Sequence, residues 1–251
     1  MIEVILRPAL ADNIMPFIVS REQKKFWCVD PGDEKVLDRF VTENPGLQGM
    51  GAFITHHHHD HIDALARFKE LFPTSQVRAP NHPTLKPYLD PTQVTSSFMR
   101  AIPTPGHTTL SLSYFLETPN KKYLFSGDTL FGAGCGRLFE GTPEQMWDSL
   151  QKLRELPAET LMICGHEYTE ANLSFVATLG WRTEAIEWEL ERVKKLRDDK
   201  QSTLPRSLKL ELETNPFLNA DDPELTQALG LAPDSQPHET FKVLRERRNH
   251  F

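Results

Sequence analysis

Short apolar runs bounded by turn residues dominate the first two thirds of the chain, the pattern expected of β-strands. Ile2 to Leu6, Ile14 to Val19 and Phe26 to Val29 open the series, with Asp30-Pro31-Gly32 as the following turn. Gly51 to Thr55, Phe98 to Ile102, Ser111 to Glu117, Tyr123 to Ser126 and Leu161 to Cys164 extend it. Helical patterns lie between them. Ile62, Leu65, Phe68 and Leu71 recur along one helical face. Thr142-Pro143-Glu144-Gln145 is a capping box with proline at the first helical position, leading into Met146, Leu150 and Leu153 before Pro157 ends the helix.

After Glu167 the strand pattern stops. Glu170 to Leu179 reads as a helix closed by Gly180. Thr183 to Lys200 places Ile186, Leu190, Val193 and Leu196 on one face, Asp222-Pro223 opens a short helix stopped by Gly230, and Pro237 opens a last one running toward Phe251. The expectation is an α/β domain over residues 1–167 followed by a small helical domain over 168–251.

Composition narrows the class without naming a chemistry. A chain of 251 residues holds one large domain or a medium domain with a small companion. Its net charge of −7 argues against a nucleic-acid binder, which normally carries a basic face. No apolar run approaches the roughly 18–20 residues of a membrane span. The start Met1-Ile2-Glu3 lacks the features of a secretory signal. Cys28, Cys135 and Cys164 are widely spaced and odd in number, which fits reduced thiols. The expectation is a cytoplasmic, monomeric protein with no nucleic-acid or membrane partner.

The chemistry lies in Thr55-His56-His57-His58-His59-Asp60-His61, directly after a strand. Residues two apart on an extended chain point the same way, so His56 and His58 can serve one ion while Asp60 and His61 aim at a second position. His57 and His59 face away. Three further segments repeat the layout of strand, turn and exposed ligand: Pro105-Gly106-His107, Ser126-Gly127-Asp128 and Cys164-Gly165-His166. Five histidines and two aspartates exceed what one ion needs. Two ions sharing one carboxylate account for them, with Asp128 as the bridge. Imidazole and carboxylate suit zinc first, with iron and manganese also accepted. Cys164 reads as the last inward residue of a buried strand, and His82, His238 and His250 as surface histidines.

His-x-His-x-Asp-His, with Pro-Gly-His-Thr, Gly-Asp-Thr-Leu-Phe and Gly-His-Glu-Tyr-Thr, resembles the metallo-β-lactamase superfamily. Gly134-Cys135-Gly136-Arg137-Leu138-Phe139-Glu140-Gly141-Thr142, Asn215-Pro216-Phe217-Leu218 and the ending Arg245 to Phe251 narrow the resemblance to the glyoxalase II, or hydroxyacylglutathione hydrolase, family. It spans essentially the whole chain. The resemblance implies an αββα sandwich with a dinuclear site: His56, His58 and His107 on one ion, Asp60, His61 and His166 on the other, Asp128 between them. It implies hydrolysis of the thioester S-D-lactoylglutathione to D-lactate and glutathione, the second step of methylglyoxal detoxification. A metal-bridging hydroxide, oriented by Asp60, would be the nucleophile. Glutathione contacts carried over from relatives fall on Arg137, Phe139, Tyr168, Arg245 and Arg248. Arginines suit that anionic ligand, because the guanidinium matches a carboxylate in two-pronged fashion.

Four departures from the family pattern bear on substrate affinity and range. Ile62-Asp63-Ala64 replaces a glycine-containing stretch after Asp-His, placing the Asp63 charge near the second ion. Thr109-Leu110-Ser111 replaces a Gly-His continuation, Phe139 stands where some relatives have tyrosine, and arginine replaces lysine at 137 and 248. The competing readings are another thioesterase of the superfamily, a lactamase or a single-iron persulfide dioxygenase. From another class, the rival is a non-catalytic metal-binding module. A lactamase is expected to carry an export signal, a persulfide dioxygenase to lack the helical tail, and a closed structural site to hold four Cys/His ligands around one ion.

Overall fold

The computed structural model describes residues 2–89, 98–181 and 183–251. In the first sheet, β1 (Ile2–Ala9), β2 (Asn13–Ser20), β3 (Lys25–Val29), β4 (Gln48–Phe53) and β5 (Gln76–Arg78) lie in chain order. The first three pair antiparallel, and β3, β4 and β5 run parallel. The second sheet contains β6 (Met99–Pro103), β7 (Leu112–Glu117) and β8 (Lys122–Gly127), which pair antiparallel. After a two-stranded ribbon of β9 (Leu130–Phe131) and β10 (Gly134–Cys135), the chain returns to that sheet as β11 (Leu161–Cys164), parallel to β8.

Strand β2 shows why the layers form. All eight of its residues are buried, which requires cover on both faces. Met15, Phe17 and Val19 pack toward α1 (Glu34–Glu43) and α3 (Leu65–Leu71), while Ile14 and Ile18 face the second sheet. Phe17 stacks on Phe40 at 3.7 Å, and Phe26 meets Phe40 and Phe68. Each such ring contributes roughly 1.5–3 kcal/mol on burial. Between the sheets, the Tyr114 hydroxyl donates to the Ile54 carbonyl at 2.9 Å and its ring packs on Phe53. Beyond the second sheet lies α4 (Pro143–Arg154), burying Met146, Leu150 and Leu153 and opened by the Thr142/Gln145 capping box. The result is the αββα sandwich.

The tail contains α5 (Thr169–Val176), α6 (Glu184–Asp198), α7 (Leu208–Thr214), α8 (Pro223–Ala228) and α9 (Pro237–His250). It also contains a strand the apolar pattern does not announce: β12 (Arg206–Ser207) adds antiparallel to β11. A two-residue strand carrying a buried arginine has no periodicity to read. Arg206 reaches Glu189 at 2.5 Å and also pairs with Glu211, all three side chains fully buried. Phe217, Phe241 and Leu244 share one core with the second sheet, so the tail packs as a continuation of the sandwich. The helical face expected from Ile62 to Leu71 is divided, with α2 (His59–Ile62) separate from α3, because the Ala64 amide bonds to the Pro31 carbonyl at 2.9 Å. Also missed by the sequence reading are α1, whose cap Asp33 directly follows the 30–32 turn, β5, the β9–β10 ribbon and α7.

Candidate metal centre and its cavity

Four loops at one end of the sandwich carry the seven proposed ligands. β4 leads into His56, His58, Asp60 and His61; the β6–β7 connection carries His107; Asp128 follows β8 and His166 follows β11. They gather into overlapping groups whose ligand atoms lie within 4.8 Å of one another: His56, His58 and His107; Asp60, His61 and His166; and His56, His61 and Asp128. His58 Nδ1 lies 3.0 Å from His56 Nε2 and 3.1 Å from His107 Nε2. Asp60 Oδ2 lies 3.5 Å from His61 Nε2 and 3.4 Å from His166 Nε2. Asp128 stands between the groups, 3.4 Å from His61, 3.3 Å from His166 and 3.5 Å from His107.

The far nitrogen of each ring decides which lone pair faces inward. His61 Nδ1 donates to Asp30 at 2.9 Å, His166 Nδ1 to Asp12 at 2.7 Å and His107 Nδ1 to the Arg137 carbonyl at 2.9 Å. The Thr55 hydroxyl spends its proton on Asp30, so at 3.0 Å it accepts from His56 Nδ1. Every one of these bonds turns Nε2 into the ligand nitrogen. The backbone makes room as well. A Cβ on Gly165 would lie 2.4 Å from Asp128 Oδ1 and 2.8 Å from the His61 ring, so only glycine lets β11 end against the cluster.

The residues fit divalent ions. His61 Nε2 and Asp128 Oδ1 are buried without a hydrogen-bond partner although they face each other, which is costly unless something fills the gap. Burial depresses His56 and His107, leaving them neutral with free lone pairs. Burial also opposes charge on Asp60 and Asp128, yet His61 and His166 hold both well below the usual carboxylate range. Conversely, His166 overcomes burial through Asp128, Asp60 and Asp12 and is pushed up to about 11. Protons on His61 and His166 thus neutralise a carboxylate pair, the task that metal ions perform when they displace such protons. The cluster is suited to two ions.

Beside it opens a cavity of about 490 Å³ lined by His107, Asp128, Phe131 and Cys135 together with Arg137, Phe139, Tyr168, Arg245 and Arg248. All five side chains assigned to substrate by resemblance therefore line this one cavity. Tyr168 stacks on His166 at 4.7 Å, and burial with the neighbouring carboxylates pushes its hydroxyl up to about 12. Phe139 is exposed, its ring 5.6 Å from His58 and 5.2 Å from His107. Arg245 is buried, donating to the Cys135 carbonyl at 2.7 Å, and Arg248 donates to Asn172 at 3.1 Å. Among the described residues, no carboxylate pairs with Arg137, Arg245 or Arg248. Burial, then the neighbouring Arg245 and Arg137, lower the Arg248 guanidinium.

Residues 167–251 match the family described as hydroxyacylglutathione hydrolase C-terminus, and residues 97–166 match the metallo-beta-lactamase superfamily. The chain is 38% identical to the hydroxyacylglutathione hydrolase of Pseudoalteromonas translucida over 100% of both chains. It is 39% identical to that of Erwinia tasmaniensis, over 97% of this chain and 98% of the relative. This chain belongs to the hydroxyacylglutathione hydrolase family. A metallo-beta-lactamase of Staphylococcus aureus shares the fold, with a TM-score of 0.62 at 20% identity over 98% of this chain and 71% of that one.

Of the departures from the family pattern in this hydroxyacylglutathione hydrolase, Asp63 is exposed and bonds the exposed His59 at 3.0 Å. His82, read as a surface histidine, is half-buried and stacks on His57 at 3.7 Å. Cys164 is buried, and burial raises its thiol far above the range of a ligand thiolate. The supporting residues Asp12, Asn13, Asp30 and Thr55 escaped the sequence reading. Only Asp30 carried a signal, as the polar residue closing an apolar strand. In the tail, Asn215 donates to the Phe131 and Gly134 carbonyls at 3.1 and 3.0 Å, and Glu211 accepts from the Ala133 amide at 2.8 Å. This explains how the Asn-Pro-Phe-Leu segment supports the cavity wall.

Proposed function

We propose that the chain hydrolyses S-D-lactoylglutathione to D-lactate and glutathione, as the second step of methylglyoxal detoxification in the cytoplasm. It would work as a monomer carrying two divalent ions, zinc by preference. The observation that carries this reading is the union, in one cavity, of a His/Asp cluster with three arginines that have no carboxylate partner among the described residues. His56, His58 and His107 would hold one ion, Asp60, His61 and His166 the other, with Asp128 shared. Bound there, divalent ions supply Lewis acidity and an acidified water.

The chain's own groups supply the rest. Arg137, Arg245 and Arg248 offer the two glutathione carboxylates charge-assisted bonds. Phe139 and Tyr168 flank the thioester. Asp60, turned by Asn13 at 2.9 Å, orients the attacking water oxygen toward the acyl carbon. The water, acidified at the ions, would release one proton to solvent as the C–O bond forms. The C–S bond breaks, glutathione leaves as thiolate, which needs no dedicated acid, and the lactic acid formed loses its carboxyl proton to solvent.

The test is loss of thioester from S-D-lactoylglutathione by purified protein of measured ion content, with His58→Ala as control. Hydrolysis that disappears in the variant supports the reading. Inert wild-type protein holding two ions per chain would overturn the substrate assignment. Protein that binds ions but turns over no thioester would favour a metal-binding module.

A further inference from the structure

The two ion positions are supported unequally, and the difference traces to the turn between β1 and β2. At the first position, His107 is tied to a backbone carbonyl and His56 to a hydroxyl. At the second, both histidines are tied to carboxylates, His61 to Asp30 and His166 to Asp12. Asp30 lies in the interior, buried beneath Thr55. Asp12 comes from a surface turn 154 residues away in sequence from His166, with its side chain 43% exposed.

That turn is laced to the second position by several bonds. The Asp12 carbonyl accepts from the Glu167 amide at 2.8 Å, and the Ile14 amide donates to the Gly165 carbonyl at 2.8 Å. Asn13 Nδ2 donates to Asp60 Oδ2 at 2.9 Å and reaches the Asp60 carbonyl at 3.3 Å. Adjacent residues of one turn therefore hold His166 and Asp60, two ligands that serve the second position alone. Neither residue touches His56, His58 or His107.

We infer that Asp12 is a positioning residue that sets retention of the second ion independently of the first. This rests on the dinuclear reading above. The Asp12 carboxylate fixes the His166 ring with Nε2 inward and raises the electron density of that nitrogen, while Asn13 fixes the Asp60 oxygen beside it. Removing the Asp12 charge weakens the second position and leaves the first intact.

The experiment uses full-length wild type, Asp12→Asn and Asp12→Ala, each stripped of metal and titrated with zinc against a chromophoric chelator. Bound ions per chain are counted by elemental analysis. Asp12→Asn keeps an acceptor at the same reach, so its effect isolates the charge; it also serves if Asp12→Ala does not fold. The expected result is a first dissociation constant unchanged within about twofold and a second weakened by about 10- to 100-fold. The metal-free proteins should melt alike. Equal second constants in wild type and Asp12→Asn would overturn the inference alone, as would parallel weakening of both constants. Wild-type protein that never takes up a second ion would overturn it together with the dinuclear reading.

Discussion

Around His61 and Asp128 the cavity wall is rich in carboxylates and in lone pairs lacking hydrogen. Arg137, Arg245 and Arg248 line the same cavity and pair with no carboxylate among the described residues. Apart from the protons on His61 and His166, the first region is short of positive charge, and the second lacks negative charge, although both open on the same space. They do not simply pair with each other. His56, His61, His107, His166 and Asp60 are each turned inward by a bond from behind, and Arg245 is held from behind by the Cys135 carbonyl. Each deficit is thereby preserved for a ligand of its own, a metal ion on one side and an anionic molecule on the other. A thioester of glutathione spanning the two meets both at once.

The strongest way to break that comparison is to empty the metal side. His58→Ala should lower turnover by about 1000-fold, since metal assistance is worth several kcal/mol. Binding of glutathione to the arginine wall should persist, as titration calorimetry would register. Next in size is the scaffold joining the walls. Glu211→Ala leaves Arg206 short of a buried partner and should cost about 3–5 kcal/mol in urea unfolding, with ion content unchanged. Arg248→Ala should lower kcat/KM by roughly 10- to 100-fold through KM, the value of a charge-assisted bond. Its kcat and ion content should hold. Smallest of all, Asp63→Asn should change kcat/KM by less than about twofold, because its partner His59 points to solvent.

The metal side was largely legible in the sequence because each ligand sits within a few residues of a strand end. Alternation on an extended chain separates His56 and His58 from His57, and glycine at 165 marks the close approach of β11 to the cluster. The supporting shell was not legible. Asp12 reaches His166 only once the first sheet and the second sheet are packed, and no local pattern distinguishes it from a surface turn aspartate. The arginine wall lies between these cases. Nothing in the spacing of Arg245 and Arg248 on a terminal helix separates ligand contact from solvent exposure; the resemblance supplied those positions, and their burial against Cys135 and Asn172 follows from tertiary packing. Likewise β12 exists because Arg206 finds Glu189 and Glu211 in the interior, a long-range pairing that overrides its short, polar sequence.

The most direct measurement compares kcat/KM for S-D-lactoylglutathione with that for the same thioester bearing both glutathione carboxylates as esters. It is made on two-ion wild-type protein and on Arg248→Ala. The opposed-charge account predicts a wild-type preference of about 100-fold or more for the substrate with free carboxylates, shrinking in Arg248→Ala, while the diester, which keeps only the ammonium charge, is cleaved at similar rates by both. Equal efficiency toward the two substrates in the wild type would contradict it.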